Sequence, residues 1–439
     1  MAVSDSVQDE GLLRVIGTGA VALAVVNMVI GAGIFALPGI VAAELGSAAI
    51  IAYFICSVTV ALIFLCYAEV GSRITRSGGS YAYIEEAFGP FVGFIASVLY
   101  WFGWGVLADA AITVIMVESL AILFPILEQT IPRAVFIVTL LAFLATVNIR
   151  GVKAGVNLFI FNTLAKLVPL ILLLVVGLFA MNLDNLAIPE WPSASSLAAA
   201  TVILFYAFTG AESALCTSGE IRNPARTVPL GLLIGLCGVL LLYVGLQTVS
   251  QGVLGAELAN NTKAPLVAVA TAVFGDWGGK MLIAGAVISI YSTLSGDMLA
   301  APRVIFASAQ DGNLPKILSR VHPKYKTPYV AISFIAAIVS VFALSGSFKT
   351  LAIVATGSIL LIYLAVSLAV LRLRQRDGMP KEGEYTVPFG PVIPILSCLF
   401  VAGLLLQIPF DEAMTVAALV GACIAIYVIR AVIRNRGKT

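Results

Sequence analysis

The chain has 439 residues, of which 60% are hydrophobic and only 11% are charged. Soluble domains carry roughly a quarter charged residues, so this balance excludes a soluble globular protein and indicates an integral membrane protein. A net charge of +2 lacks the basic footprint of a nucleic-acid-binding protein.

The first residues, Met1 to Glu10, are polar and acidic. They lack the basic start of a signal peptide, so the first apolar span is expected to be retained. Twelve apolar spans follow, at about 15–43, 47–70, 91–123, 134–149, 157–181, 197–218, 230–252, 280–309, 329–344, 350–371, 389–408 and 413–430. They read as membrane helices. Polar loops separate them, the longest at about 254–279 and 310–328, and no soluble domain is inserted. The six cysteines, Cys56, Cys66, Cys216, Cys237, Cys398 and Cys423, fall in or beside these spans without metal-ligand spacing. They are expected to be buried free thiols. The sole histidine, His322, stands before Pro323 in a basic loop, which argues against a metal or catalytic role.

Span 1 contains Asn27-Met28-Val29-Ile30-Gly31-Ala32-Gly33-Ile34-Phe35-Ala36-Leu37-Pro38. No strand pattern precedes these glycines and a third glycine is missing at the fingerprint spacing, so a nucleotide loop is excluded. Two glycines within one turn weaken a helix. Freed backbone groups at membrane depth are tolerated only where they line a cavity or are buried in protein. The stretch therefore reads as a substrate site built from main chain, with close helix packing through small residues as the alternative. Span 6 carries a second such stretch, Phe205-Tyr206-Ala207-Phe208-Thr209-Gly210-Ala211-Glu212-Ser213.

Spans 1 and 6 are five apart. Five is odd, so a five-helix repeat must be inverted relative to its twin. Paired broken helices in two inverted halves point to a transporter site near the midplane. The expected organisation is a first repeat over 1–182, a second over 183–375, and spans 11 and 12 with a tail over 376–439. Lys and Arg divide roughly nineteen against four between alternate loops, which places both termini in the cytoplasm of a multi-pass cell-membrane protein.

These residues resemble the amino acid–polyamine–organocation (APC) transporter superfamily, an all-α fold of twelve membrane helices with a five-plus-five inverted repeat and broken helices 1 and 6. The resemblance rests on Gly31-Ala32-Gly33-Ile34-Phe35 with Leu37-Pro38, Gly78-Gly79-Ser80-Tyr81-Ala82-Tyr83 running into Phe88-Gly89-Pro90, and Phe208-Thr209-Gly210-Ala211-Glu212-Ser213. It extends to Asn223-Pro224-Ala225-Arg226 and to Pro302-Arg303 leading to Asp311-Gly312-Asn313-Leu314-Pro315. It implies that main chain around Gly31, Ala32 and Gly33 takes a substrate carboxylate, which suits the positive end of the half-helix after Gly33. It also implies that carbonyls of Val29, Tyr206 and Thr209 take an ammonium group. Ala32 replaces a hydroxyl residue found in some relatives. Tyr206 and Phe208 are either a gate over the substrate or ordinary aromatic packing.

Charge inside the membrane is expensive and marks function by default. Lys166 lies roughly 13 Å into span 5 at the helical rise. It resembles the segment 5 lysine of sodium-independent relatives, where an ammonium occupies the place of sodium against carbonyls of segment 1 and hydroxyls of segment 8. It reads either as a proton carrier or as a fixed structural cation. Asp297 follows Thr293 by four residues, so the two share a helical face. The family register puts Thr293 near Lys166, and Asp297 beside the substrate side-chain pocket. Asp297 is then a counter-ion to Lys166 or a ligand for a polar or cationic side chain, and Asp109 in span 3 poses the same choice. Glu212 reads as a gating or proton-sensing carboxylate, or as a cap on freed N–H groups. Glu69 and Glu118 are expected at the interface.

The reading is a sodium-independent secondary transporter of amino acids, working by alternating access with proton coupling or exchange. A cationic amino acid or polyamine carrier is the alternative. A channel would present rings of charge or carbonyls around an open pore, and a membrane enzyme would need a catalytic cluster. The expected partners are a small-molecule substrate, an amino acid, and membrane lipid, with a homodimer left open, and no cofactor is expected.

Overall fold

The computed structural model describes residues 16–74, 78–150, 156–215, 221–310 and 314–436. The acidic start, Arg14, Arg76, Lys153, Cys216, Lys438 and the Asp311-Gly312-Asn313 motif lie outside the described residues. Among the described residues the architecture is helical, with one isolated bridge between Ile16 and Ile221. Helices are what lipid demands, because each satisfies its backbone groups within its own segment.

The first apolar span is two helices, α1 (Thr18–Val29) and α2 (Gly33–Leu45). Then come α3 (Ala49–Arg73), α4 (Ser80–Phe88), α5 (Pro90–Val98) and α6 (Leu107–Ala121), the last two joined by a π-helical stretch, Leu99–Val106. Helices α7 (Thr130–Arg150) and α8 (Val156–Ala180) follow. The next span is again broken. Helix α9 (Ala194–Phe205) runs into short 3-10 turns at Tyr206–Phe208 and Ala211–Leu215. Then follow α10 (Pro224–Leu254), α11 (Pro265–Phe274), α12 (Asp276–Gln310), α13 (Tyr329–Ser345), α14 (Phe348–Asp377), α15 (Val392–Leu405) and α16 (Phe410–Arg436).

Among the described residues, nine stretches are long and apolar enough to cross a membrane. Thr18–Val29, Pro265–Phe274, Tyr329–Ser345 and Val392–Leu405 are shorter apolar helices. The segment expected as a polar loop at 254–279 holds one of these, α11, whose apolar face buries Leu266, Val269 and Ala270.

Helix α10 packs on both α1 and α3, while α14 packs on α3, α4, α6 and α15. The outer helices keep apolar side chains such as Ile131, Phe179 and Phe410 exposed, as a lipid-facing surface requires. Two expectations are corrected. Cys237 is exposed and Cys398 only partly buried, although Cys56, Cys66 and Cys423 are buried. Glu69 is fully buried rather than interfacial. Its Oε1 accepts from Arg374 Nε at 2.8 Å, and its Oε2 from Arg374 Nη2 and from the Val387 N–H. The segment after α14 thus folds back over the end of α3. Glu118 remains part-exposed, 3.7 Å from Arg133.

Candidate functional site

The two breaks meet. A Cβ on Gly33 would lie 2.9 Å from both Cα and Cβ of Ala207, in the second break. A Cβ on Gly210, whose φ is +111°, would lie 2.8 Å from the Met28 carbonyl oxygen, in the first. Glycine at both positions lets unwound main chain touch unwound main chain. Gly31 differs, because a Cβ there would meet nothing within 4 Å. The two sequence readings, an open backbone site and close packing, therefore divide between neighbouring glycines.

In the first break the helical ladder ends with the Ile30 N–H donating to Val26 O, and the Gly31 N–H turns back to Val29 O at 2.8 Å. The carbonyls so released are gathered by side chains from three helices. Lys166 on α8, fully buried, donates to Asn27 O at 2.6 Å and Ile30 O at 2.8 Å. Ser289 on α12 donates to Ile30 O at 3.2 Å and has Gly31 O at 3.1 Å. Tyr243 on α10 donates to Val29 O at 3.0 Å. Thr163 donates to the Asn27 side-chain oxygen at 3.2 Å. The α2 N-terminus has Ala32 as its N-cap, which supplies no side-chain acceptor. The Phe35 N–H turns back to Ala32 O at 3.0 Å, and the Gly33 and Ile34 N–H groups ahead of it keep that capacity for a negative group.

In the second break the Thr209 hydroxyl donates to Tyr206 O at 2.7 Å. Glu212 is fully buried. Its Oε2 accepts from the Gly210 N–H at 3.1 Å and from the Tyr363 hydroxyl at 2.5 Å. It therefore caps the break and also ties it to α14. Its Oε1 has no partner among the described residues. The Tyr206 hydroxyl donates to Ala108 O at 3.0 Å, and its ring lies 5.6 Å from Trp104 and 5.7 Å from Phe348. The Phe208 ring is 5.1 Å from Tyr243 and 6.0 Å from Tyr53.

Asp109 on α6 and Asp297 on α12 stand on two helices that pack against each other. Asp109 is 3% exposed, whereas Asp297 is partly accessible. Among the described residues Lys166 forms no ion pair, and its ammonium points at carbonyls. The Thr293 hydroxyl donates to Ser289 O at 3.1 Å, so Ser289, one turn earlier, supplies the α12 hydroxyl at the first break.

Sequence reasoning missed Ser289, Tyr243 and Tyr363, which are ordinary polar residues inside apolar helices and give no local signal. It also missed the π-helical turn over Leu99–Val106, which carries Tyr100 and Trp104 to the second break. There Tyr100 and Ser213 hydroxyls are 2.9 Å apart. Such turns are frequent at functional sites. His322 Nδ1 accepts from the Lys324 and Tyr325 N–H groups, each at 3.2 Å, a turn-stabilising role.

Comparison with known proteins agrees with this geometry. The family model described as amino acid permease matches residues 16–429. A serine/threonine exchanger of Bacillus subtilis (strain 168) is 31% identical over 396 residues, covering 89% of this chain and 90% of its own length. A methylthioribose transporter of the same organism is 28% identical, with coverage of 89% and 87%. The vacuolar cationic amino acid transporter 4 of Arabidopsis thaliana is 29% identical over 81% of this chain and 62% of its own length. These relatives are transporters, not enzymes. With a match across nearly its whole length and two broken helices that meet at their breaks, the chain belongs to the amino acid permease family.

Proposed function

We propose that this protein is a sodium-independent secondary transporter of amino acids in the cell membrane, working by alternating access. Twelve spans in a five-plus-five inverted repeat, with both termini cytoplasmic, form the frame of that reading. The observation that carries it is the Lys166 ammonium, held by Asn27 O and Ile30 O. An ammonium there takes the carbonyls that a sodium ion would otherwise need. The uncapped start of α2 and the open side of Gly31 suit a substrate carboxylate. Val29 O, Tyr206 O and Thr209 O suit the ammonium once Tyr243 and the Thr209 hydroxyl yield.

Uptake by purified protein in proteoliposomes tests this. Replacing sodium by choline at fixed pH leaves uptake unchanged, and decarboxylated analogues compete poorly. A strict sodium requirement overturns the Lys166 assignment, and amines that compete as well as their parent amino acids overturn the carboxylate assignment. Saturable uptake with counterflow separates a carrier from a channel. A second reading, transport of cationic amino acids or polyamines, is favoured by Asp109 and Asp297, acidic side chains inside apolar helices that suit a cationic side chain. The coupling is by protons or by exchange.

A further inference from the structure

Helix α10 carries polar side chains that the transport reading does not use. Gln247 is 1% exposed and Ser250 is 0% exposed. Among the described residues, neither amide atom of Gln247 has a hydrogen-bond partner, nor does the Ser250 hydroxyl, the Gln251 Oε1 or the hydroxyl of the fully buried Tyr53 on α3. Gln251 spends its Nε2 on Asn185 O at 3.2 Å. Native proteins leave few buried polar atoms unmatched, and both ends of one amide together are rarer still.

These atoms share one place. Helices α3 and α10 run antiparallel in contact, with Gly71 packed against Val228 near one end. The same number of residues along each helix from that contact brings Tyr53 level with Leu246 and Gln247. The Tyr53 ring also meets Phe208, which meets Tyr243. Tyr243, Gln247 and Ser250 follow each other at helical spacings of four and three residues, so they line one face of α10.

We propose that Tyr53, Gln247, Ser250 and Gln251 form a buried pocket for a small cluster of ordered water between α3 and α10. It lies one helical turn from the hydroxyl that holds Val29. The chemistry of the set selects the occupant. All four side chains are neutral. The hydroxyls and the Gln247 amide nitrogen donate, while Oε1 of Gln247 and of Gln251 accept. An anion would satisfy the donors and be repelled by both carbonyl oxygens, and a cation would do the reverse. Water donates and accepts at once, and a buried water typically takes two to four polar partners. Water also re-pairs when its walls shift, so a hydrated seam lets α10 and α3 adjust where fixed side-chain bonds would resist.

The test is X-ray radiolytic labelling of the purified full-length protein, in which radicals form from bound water in place. Tyr363 is the internal control, because it is equally buried but its hydroxyl is held by Glu212. The expected result is Tyr53 labelling at least several-fold faster than Tyr363. Ser250→Ala, alone or with Gln247→Leu, lowers the Tyr53 rate toward that of Tyr363 and leaves the Tyr363 rate unchanged. Equal rates for the two tyrosines in the unmodified protein overturn the proposal without any variant. A Tyr53 rate that changes more than twofold when chloride is replaced by gluconate at constant ionic strength overturns it in favour of an anion site. The readout needs no transport, so it stands or falls independently of the proposed function.

Discussion

Gly31→Ala and Gly33→Ala place one methyl group two residues apart and should behave oppositely. At position 33 the new Cβ lies 2.9 Å from Cα and Cβ of Ala207. Ordinary contact begins at 3.4 Å, so the two breaks must part by about half an ångström. Overpacking of this kind costs about 1–3 kcal/mol, and the helix preference of alanine over glycine returns up to about 1 kcal/mol. The net loss is about 1 kcal/mol, a drop in melting temperature of about 2–4 °C or less for a chain of this size. At position 31 nothing lies within 4 Å, and the reduced freedom of the unfolded chain contributes about 0.4–1 kcal/mol in favour of alanine. Gly31→Ala should therefore melt no lower than the parent. Its methyl enters the open side of the break, and uptake should show a KM raised at least tenfold. Thermal unfolding in nanodiscs and initial uptake rates in proteoliposomes measure both effects. The reasoning fails if Gly31→Ala is destabilised as much as Gly33→Ala. It fails equally if Gly31→Ala transports with an unchanged KM.

Lys166→Met should retain substrate binding while turnover loses its pH dependence. Its stability should fall by no more than about 3 kcal/mol, because one carbonyl loses its donor; a variant with an unchanged pH profile removes Lys166 from coupling. Asp109→Asn and Asp297→Asn each remove one carboxyl group from the packed α6 and α12 helices. Competition by cationic amino acids should weaken at least tenfold relative to neutral ones, and an unchanged ranking in both variants would exclude the pair from side-chain recognition. Glu69→Gln leaves the Arg374 guanidinium, 9% exposed, without its carboxylate. It should cost about 3–5 kcal/mol, and in a double-mutant cycle with Arg374→Gln the two losses should add to more than the pair variant shows. Strict additivity would mean the two residues do not act together.

The sequence by itself determined the apolar spans, the two interruptions and the charges that had to be accounted for. Those features are local. In lipid each segment must satisfy its own backbone, so hydropathy and a pair of glycines report directly on where a helix runs and where it stops. It also singled out Lys166, because an ammonium within an apolar helix is conspicuous whatever it touches. Only the tertiary structure decided which partners these features meet. Gly31 and Gly33 read alike in the chain, but one faces open space and the other presses on Ala207. Glu69 stands near a span end and reads as interfacial until Arg374, 305 positions away, covers it. Thr293 and Ser289 differ by one turn of the same helix, and the rotation and depth of α12 against α1 select Ser289. Hydrogen-bond direction and steric contact act over a few ångströms between elements far apart in sequence. No local pattern carries that information, and the packing of the breaks against α8, α10 and α12 does.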